Sequence, residues 1–328
     1  MKFYTDIRQI GDTLFYSYIE NGERTRSKFK FSPKIYTKSQ LDATHCTIYK
    51  EPLVEHSFVT IKECKSFIER HKDIENMKLY GNGNYSYQFL AEEYKEEVKY
   101  NINDIDMCFI DIETEVGDCF PHPDTAKEKI TLITLCSSKN GIITFGYKPY
   151  TGDESINYVE CDGEIVLLRK FVQYWSSHYP DIVSGWNTES FDIPYIYNRI
   201  SEILGVEYAK RLSPFGVVSA REIRTKKKDK SVKIVNTYDI YGVQHLDYLN
   251  LYKKFTFITR ENYKLDTIGY YELKQNKLKN PYKTFKEFYS GEYDIEKIRP
   301  DHQEIDELGL RRTLIKKELL LRGLIHNE

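Results

Sequence analysis

A chain of 328 residues is long enough for two domains with cores of their own, and its formal net charge of −2 excludes both an acidic tail protein and a uniformly basic nucleic-acid coat. With 48 Lys plus Arg against 50 Asp plus Glu, binding to any polyanion has to come from local patches rather than from the field of the whole chain. No stretch approaches the roughly 18 consecutive apolar residues of a membrane span, and the N-terminal MKFYTDIRQIGD lacks the apolar core of a secretory signal.

The six cysteines (46, 64, 108, 119, 136 and 161) form no C-x-x-C pair, so they read as reduced thiols of an intracellular protein rather than as disulfides or a zinc site. Aromatic residues reach 14%, with 28 Tyr; most must be core or strand residues, but Tyr and Phe also stack on unpaired bases.

Residues 1–103 predict a smaller α+β domain of short alternating strands. TLFYSYIENGERTRSKFKFSP (13–33) reads as a hairpin about Asn21-Gly22, a strong turn signal, and TIKECKSFIERHK (60–72) as an amphipathic helix. Residues 104–328 change to a larger α/β rhythm. Strands are expected at 106–112, 130–136 and 141–146, followed by a helix over EIVLLRKFVQYWSSHY (164–179) stopped by Pro180. A short strand, DIVSG (181–185), and a helix through SFDIPYIYNRISEIL (190–204) come next. Three successive strands before the first helix imply a mixed sheet with an antiparallel portion, not a doubly wound one. REIRTKKKDKSVKIV (221–235) predicts two strands joined by a basic turn, for which a solvated lysine loop is the plain alternative. EIDELGLRRTLIKKELLLRGLI (304–325) reads as one helix.

The chemistry rests on two places. MCFIDIE ends an apolar run in Asp111 and Glu113, and strand alternation sends both carboxylates to one face with Ile112 on the other. Such a pair is repulsive unless a cation lies between its members. The letters alone prove little, because Asp73-Ile74-Glu75 and Asp294-Ile295-Glu296 repeat them in lysine-rich surroundings. The second place is VSGWNTESFDIPYIYNR (183–199), where Asn187 or Thr188 is positioned to cap a helix and Asp192 falls in its first or second turn, with Tyr195 one helical step away.

FIDIET followed by GWNTESFDIPY resembles the first and second motifs of the 3′–5′ exonuclease domain of family B DNA polymerases. GDCFPHP (117–123), RLSPFGVV (211–218), LDYLNLYKKF (246–255) and YKLDTIGYYELKQNKL (263–278) are similar, in order and spacing, to the branch found in T-even-type tailed phages. The N-terminal GERTRSKFKFSPKIYTK (22–38) is similar to that branch's amino-terminal domain, so the resemblance covers about residues 1–280, with 281–328 a divergent helical segment.

The resemblance implies an RNase H-like α/β fold with a mixed sheet in the larger domain, and proofreading hydrolysis of 3′-terminal nucleotides from single-stranded DNA. It implies two divalent cations, Mg²⁺ or Mn²⁺, held by Asp111, Glu113 and Asp192 with a fourth carboxylate. In this family the third motif is Tyr-x-x-x-Asp; Tyr100–Asp104 and Tyr158–Asp162 stand upstream of the second motif, in the wrong order. The nearest later match is HQEID, with His302 in the tyrosine position and Asp306 as the fourth carboxylate. Phe120, Asn187 and Tyr195 are implied DNA contacts, as are Lys226, Lys227 and Lys228 of the basic hairpin, and Lys277. Nothing resembles the polymerase palm, so the chain is expected to be either a fragment or one subunit of a split polymerase; in the second case a separately encoded polymerase core is an implied partner, with primer-template DNA and a sliding clamp beside it, in the cytoplasm of an infected bacterial cell. Two other functions compete: a non-catalytic DNA-binding and assembly subunit with a degenerate third motif, and a free-standing repair nuclease, against which the polymerase-like N-terminal segment argues.

Overall fold

The structure, a computed structural model, describes residues 1–40, 43–75, 77–117, 120–147, 150, 157–226 and 232–276. These fall into two compact units that divide after Asp104.

In the first unit, strands β1 (Lys2–Ile10), β2 (Thr13–Glu20) and β3 (Glu23–Lys30) form an antiparallel sheet in that order. The β2–β3 turn is Asn21-Gly22, both at positive φ (52° and 83°), as a tight two-residue hairpin requires. A second sheet, in the order β5-β6-β4-β7, uses β4 (Lys34–Lys38), β5 (His45–Cys46), β6 (Pro52–Ser57) and β7 (Leu79–Tyr80). Helix α1 (Ile61–His71) starts where the Thr60 hydroxyl accepts the Glu63 amide at 3.1 Å. It and α2 (Tyr85–Glu93) supply Ile61, Cys64 and Tyr85 to a core shared with Leu14, Phe31 and Ile35.

The second unit is built on a mixed six-stranded sheet in the order β11-β10-β9-β8-β12-β15. Strands β8 (Met107–Thr114), β9 (Ile130–Ser137) and β10 (Gly141–Gly146) run antiparallel, as three strands preceding the first helix imply. β11 (Asn157–Glu160) is parallel to β10, and β12 (Ile182–Gly185) is parallel to β8. Helix α3 (Glu164–Ser177) buries Leu167, Leu168, Phe171, Val172 and Trp175, a spacing that gathers them on one face, and ends before Pro180. Helix α4 (Asp192–Leu204) buries Ile193, Ile196 and Ile200 in the same way, tolerates Pro194 in its first turn, and stops at Gly205 (φ 95°). The short α5 (Val206–Ala209) follows, and then β13 (Val218–Lys226) and β14 (Val232–Ile240) pair as a separate antiparallel ribbon. Strand β15 (Gln244–Asp247) joins the main sheet parallel to β12 and leads into α6 (Tyr248–Phe255) and α7 (Leu265–Leu273).

Strand β8 therefore has a core on each face. Cys108, Ile110 and Ile112 pack toward α3 and α4, while Phe109 packs with Trp186, Tyr248, Tyr252, Leu265 and Ile268 on the side of α6 and α7. Burial of each of these large apolar side chains contributes roughly 1.5–3 kcal/mol relative to exposure. Alternation places Asp111 and Glu113 on the Phe109 face, facing α6 and α7. The five described cysteines form no disulfide, and no described helix is long and apolar enough to cross a membrane.

Candidate active site

The carboxylates come together where β8 and β12 end. Beside Glu113 the β8–β9 register slips: Glu113 opposes Leu132, whereas Thr114 opposes Ile130. Such a bulge re-aims the side chains at a strand end. Next to it β12 stops at Gly185, where an added Cβ would lie 2.7 Å from the Ile110 carbonyl oxygen and 2.4 Å from the Thr188 methyl. Only glycine lets the two strands approach this closely.

From Gly185 the chain turns sharply. Asn187 sits at φ 65°, in the left-handed region, and Asp247 at the end of β15 draws the loop inward. Its carboxylate accepts the amides of Asn187 (3.3 Å) and Glu189 (2.9 Å), and also those of Leu249 (2.9 Å) and Asn250 (3.4 Å) as the N-cap of α6. Thr188 is buried and shares a 2.9 Å hydrogen bond with His245 Nε2. His245 is half-buried, and desolvation holds its pKa below the ordinary value despite the nearby Asp247 carboxylate. The position preceding α4 is Phe191, with no side-chain capping bond; neither Asn187 nor Thr188 caps the helix, because their side chains face the cavity and His245 instead.

Asp192, the first residue of α4, is 4% exposed, and its Oδ1 accepts the Ile112 amide at 3.1 Å. Asp111, Glu113 and Asp192 all line one cavity of about 610 Å³. Phe120, Asn187, Trp186 and Phe191 are part of its wall, and the Phe120 and Phe191 rings lie 5.8 Å apart. Phe120 is 79% exposed and therefore available to a ligand. Trp186 is packing: its Nε1 donates to the Tyr263 carbonyl at 3.1 Å and its ring meets Tyr248 edge-on.

A further part of the lining was not legible in the sequence. Leu249 from α6, Tyr263 and Lys264 just before α7, and Leu265 and Asp266 at its start also line the cavity. Asp266 adds a carboxylate, and Lys264 is the one basic side chain among the described lining residues. The stretch YKLDTIGYYELKQNKL carried part of the family resemblance, but no role was attached to its Tyr263, Lys264 or Asp266.

Tyr195 is not where a DNA contact would be. It is fully buried, and its hydroxyl donates to the Glu128 carbonyl at 2.8 Å, so the helical step from Asp192 points it into the core rather than into the cavity. The backbone of Lys226 ends β13 opposite Val232. Lys227, Lys228, Lys277, His302 and Asp306 lie outside the described residues. At the base of the ribbon, Arg221 pairs with Glu189 of the Asn187 loop and with Asp239 (3.1 Å), and Asn250 Nδ2 donates to Glu189 at 2.7 Å.

The lining donors are oxygen ligands, with no imidazole or thiol among them. Among the described residues no three His, Cys, Asp or Glu side chains are grouped tightly enough to cage a metal ion. Such an open set fits a hard ion of the Mg²⁺ type, which retains several waters and takes one or two carboxylates plus a substrate phosphate rather than an all-protein cage.

A sequence model described as DNA polymerase family B, exonuclease domain, matches residues 41–268. The chain is 32% identical over 308 residues to the DNA-directed DNA polymerase of Escherichia phage RB69, covering 85% of this chain and 33% of that protein. It is 29% identical over 305 residues to the DNA-directed DNA polymerase of Enterobacteria phage T4, covering 84% and 33%. It is also similar to the DNA polymerase delta catalytic subunit of Caenorhabditis elegans, at 28% identity over 159 residues, 48% of this chain and 13% of that one. The chain thus spans about one third of the length of the two phage relatives.

Proposed function

We propose, from the premise that the chain belongs to the family B DNA polymerases through its exonuclease domain, that it removes nucleotides from the 3′ end of single-stranded DNA as the proofreading part of a phage replicative polymerase. The observation that carries this function is the convergence of Asp111, Glu113 and Asp192 on one cavity whose rim presents the exposed ring of Phe120.

Asp111, Glu113 and Asp192 would hold the divalent cations, Mg²⁺ or Mn²⁺, with Asp266 a further carboxylate in the same lining. When bound, such ions activate the attacking water, stabilise the leaving 3′ oxygen and reverse the sign of a carboxylate site that would otherwise repel a phosphodiester. The chain's own groups do the rest. The Ile112 amide orients Asp192, so its carboxylate is set before substrate arrives. Phe120 and Phe191 offer ring faces to the terminal base, a sequence-tolerant contact suited to any mismatched nucleotide. Asn187 would provide a polar contact beside them, and Lys264, in the same lining, would supply a cation for a backbone phosphate. Lys226, Lys227, Lys228 and Lys277 remain proposed DNA contacts, and His302 with Asp306 the proposed third motif. A polymerase core, on this or another polypeptide, and a sliding clamp are the partners this function implies.

The test is the polarity of digestion. A 5′-labelled single strand with Mg²⁺ or Mn²⁺ should shorten stepwise into a ladder; release of the label as a mononucleotide, or one internal cut, would contradict the proposal.

A further inference from the structure

The strap from Phe120 to Lys129, between β8 and β9, contains no helix or strand, yet it carries Phe120 and Pro121 into the cavity wall. Its shape is imposed by one face of α4. Tyr195, Asn198 and Arg199, at spacings that share a helix face, all reach strap carbonyls. Tyr195 donates to Glu128 O at 2.8 Å and Asn198 Nδ2 to Pro123 O at 2.9 Å. Arg199 Nη1 donates to Ala126 O at 3.1 Å and to Lys127 O at 2.9 Å.

The other edge of the Arg199 guanidinium is locked. Nε and Nη2 donate to Glu164 Oε1 and Oε2 at 2.8 and 2.7 Å, and Glu164 Oε1 also accepts the amide of Ile130, the first residue of β9, at 2.8 Å. Arg199 and Glu164 side chains are 7% and 6% exposed, so this fork is a buried, fixed-geometry pair rather than a surface contact. Ala126, completely buried, is held at φ 40°, a left-handed conformation that costs energy for a non-glycine and persists only where its surroundings enforce it. Arg199 grips that residue's own carbonyl.

Helix α4 also begins with Asp192, so one rigid element carries a cavity carboxylate at its start and the strap clamp one to two turns later. We infer, resting on the exonuclease function proposed above, that Arg199, fixed by Glu164, is a positioning residue that sets the Phe120–Pro121 wall against the acidic pair for capture of the terminal base. Arg199 is not among the residues lining the cavity with Asp111, Glu113 and Asp192; it acts through the strap. Lysine cannot replace it, because a single ammonium cannot bind Glu164 through two parallel bonds while donating to two carbonyls.

The experiment compares the full chain with Arg199→Met, Arg199→Lys and Phe120→Ala. Amide exchange of 120–130 is measured in each, together with the quenching of 2-aminopurine at the 3′ end of a bound single strand, and kcat and KM for digestion. Arg199→Met should speed exchange in the strap by about tenfold or more while β8 and β12 stay protected. It should lose the 2-aminopurine quenching and raise KM roughly tenfold, the loss of one base–aromatic stack, with kcat changed less than about threefold. Arg199→Lys should fall between, which keeps the test intact should the methionine variant fold poorly. In the Phe120→Ala background, Arg199→Met should add less than about twofold to KM, since both changes remove the same contact. Unchanged strap exchange, or effects of the two substitutions that multiply, would overturn the inference. A chain that digests nothing would refute the proposed function alone, because exchange and quenching still decide what Arg199 positions.

Discussion

Asp192 Oδ1 accepts the amide of Ile112 at 3.1 Å, so the first residue of α4 is hydrogen-bonded to the residue lying between Asp111 and Glu113. The two motifs, 80 residues apart, are one piece of backbone geometry before any ligand arrives. Two substitutions at Asp192 separate its jobs. Asp192→Asn keeps an acceptor for the amide but not the charge, whereas Asp192→Ala loses both. Hydrolysis should fall by about two orders of magnitude or more in each. Only the alanine variant should also lose stability, by roughly 1–3 kcal/mol for the orphaned amide. Thermal unfolding beside a digestion assay checks the pair.

Gly185→Ala tests whether the closeness of β8 and β12 builds the site. The new methyl would sit 2.7 Å from Ile110 O, a backbone atom that cannot swing away, so the strand ends must separate. Destabilisation of about 1–3 kcal/mol is expected, the usual result of overpacking. The loss of activity should exceed what the remaining folded fraction accounts for, as measured by denaturant unfolding and by digestion rate per folded molecule.

Asp247 is the tether of the Asn187 loop, accepting amides on both sides of a turn that would otherwise have unpaired donors. Asp247→Asn keeps the shape but weakens these charge-assisted bonds, and should cost about 0.5–2 kcal/mol. Amide exchange at Glu189 and Leu249 should rise together, which separates a shared tether from a simple helix cap.

His245 gives the pH dependence. Desolvation lowers its folded pKa from 6.5, so below that value the unfolded chain binds the proton more readily than the folded one. Its contribution to stability is full above pH 6.5 and is lost as pH falls toward the folded value. His245→Gln, which retains a partner for Thr188, should flatten the fall in Tm between about pH 7 and pH 5. An unchanged slope would show that other groups carry it.

Particular residues explain what could be read beforehand. Asp111 and Glu113 were legible because strand periodicity is two and an apolar run preceded them, and the α3 core followed from helical spacing. Asp192 was legible through its motif. Tyr195 was misread because a helical step gives adjacency to Asp192 but not direction, and direction depends on which face meets Ile193-type core packing and the strap. The stretch holding Tyr263, Lys264 and Asp266 was read for its resemblance but given no place at the site, because these residues reach the cavity only through the packing of α6 and α7 on the Phe109 face of β8, a contact between segments some 150 residues apart that no local pattern encodes. Asp247 was silent for the same reason: its partners are amides of a loop 58 and 60 residues upstream.

The most direct measurement uses the repeated letters of the chain as its own control. Initial rates of nucleotide release from a 5′-labelled single strand with Mn²⁺ should be compared for the unaltered chain, Asp111→Ala and Glu75→Ala, the last in the exposed Asp-Ile-Glu copy after α1. Asp111→Ala should lose about 100-fold or more, and Glu75→Ala should stay within about twofold of the unaltered chain. An Asp111→Ala chain that digests the strand at the unaltered rate would contradict the proposed site.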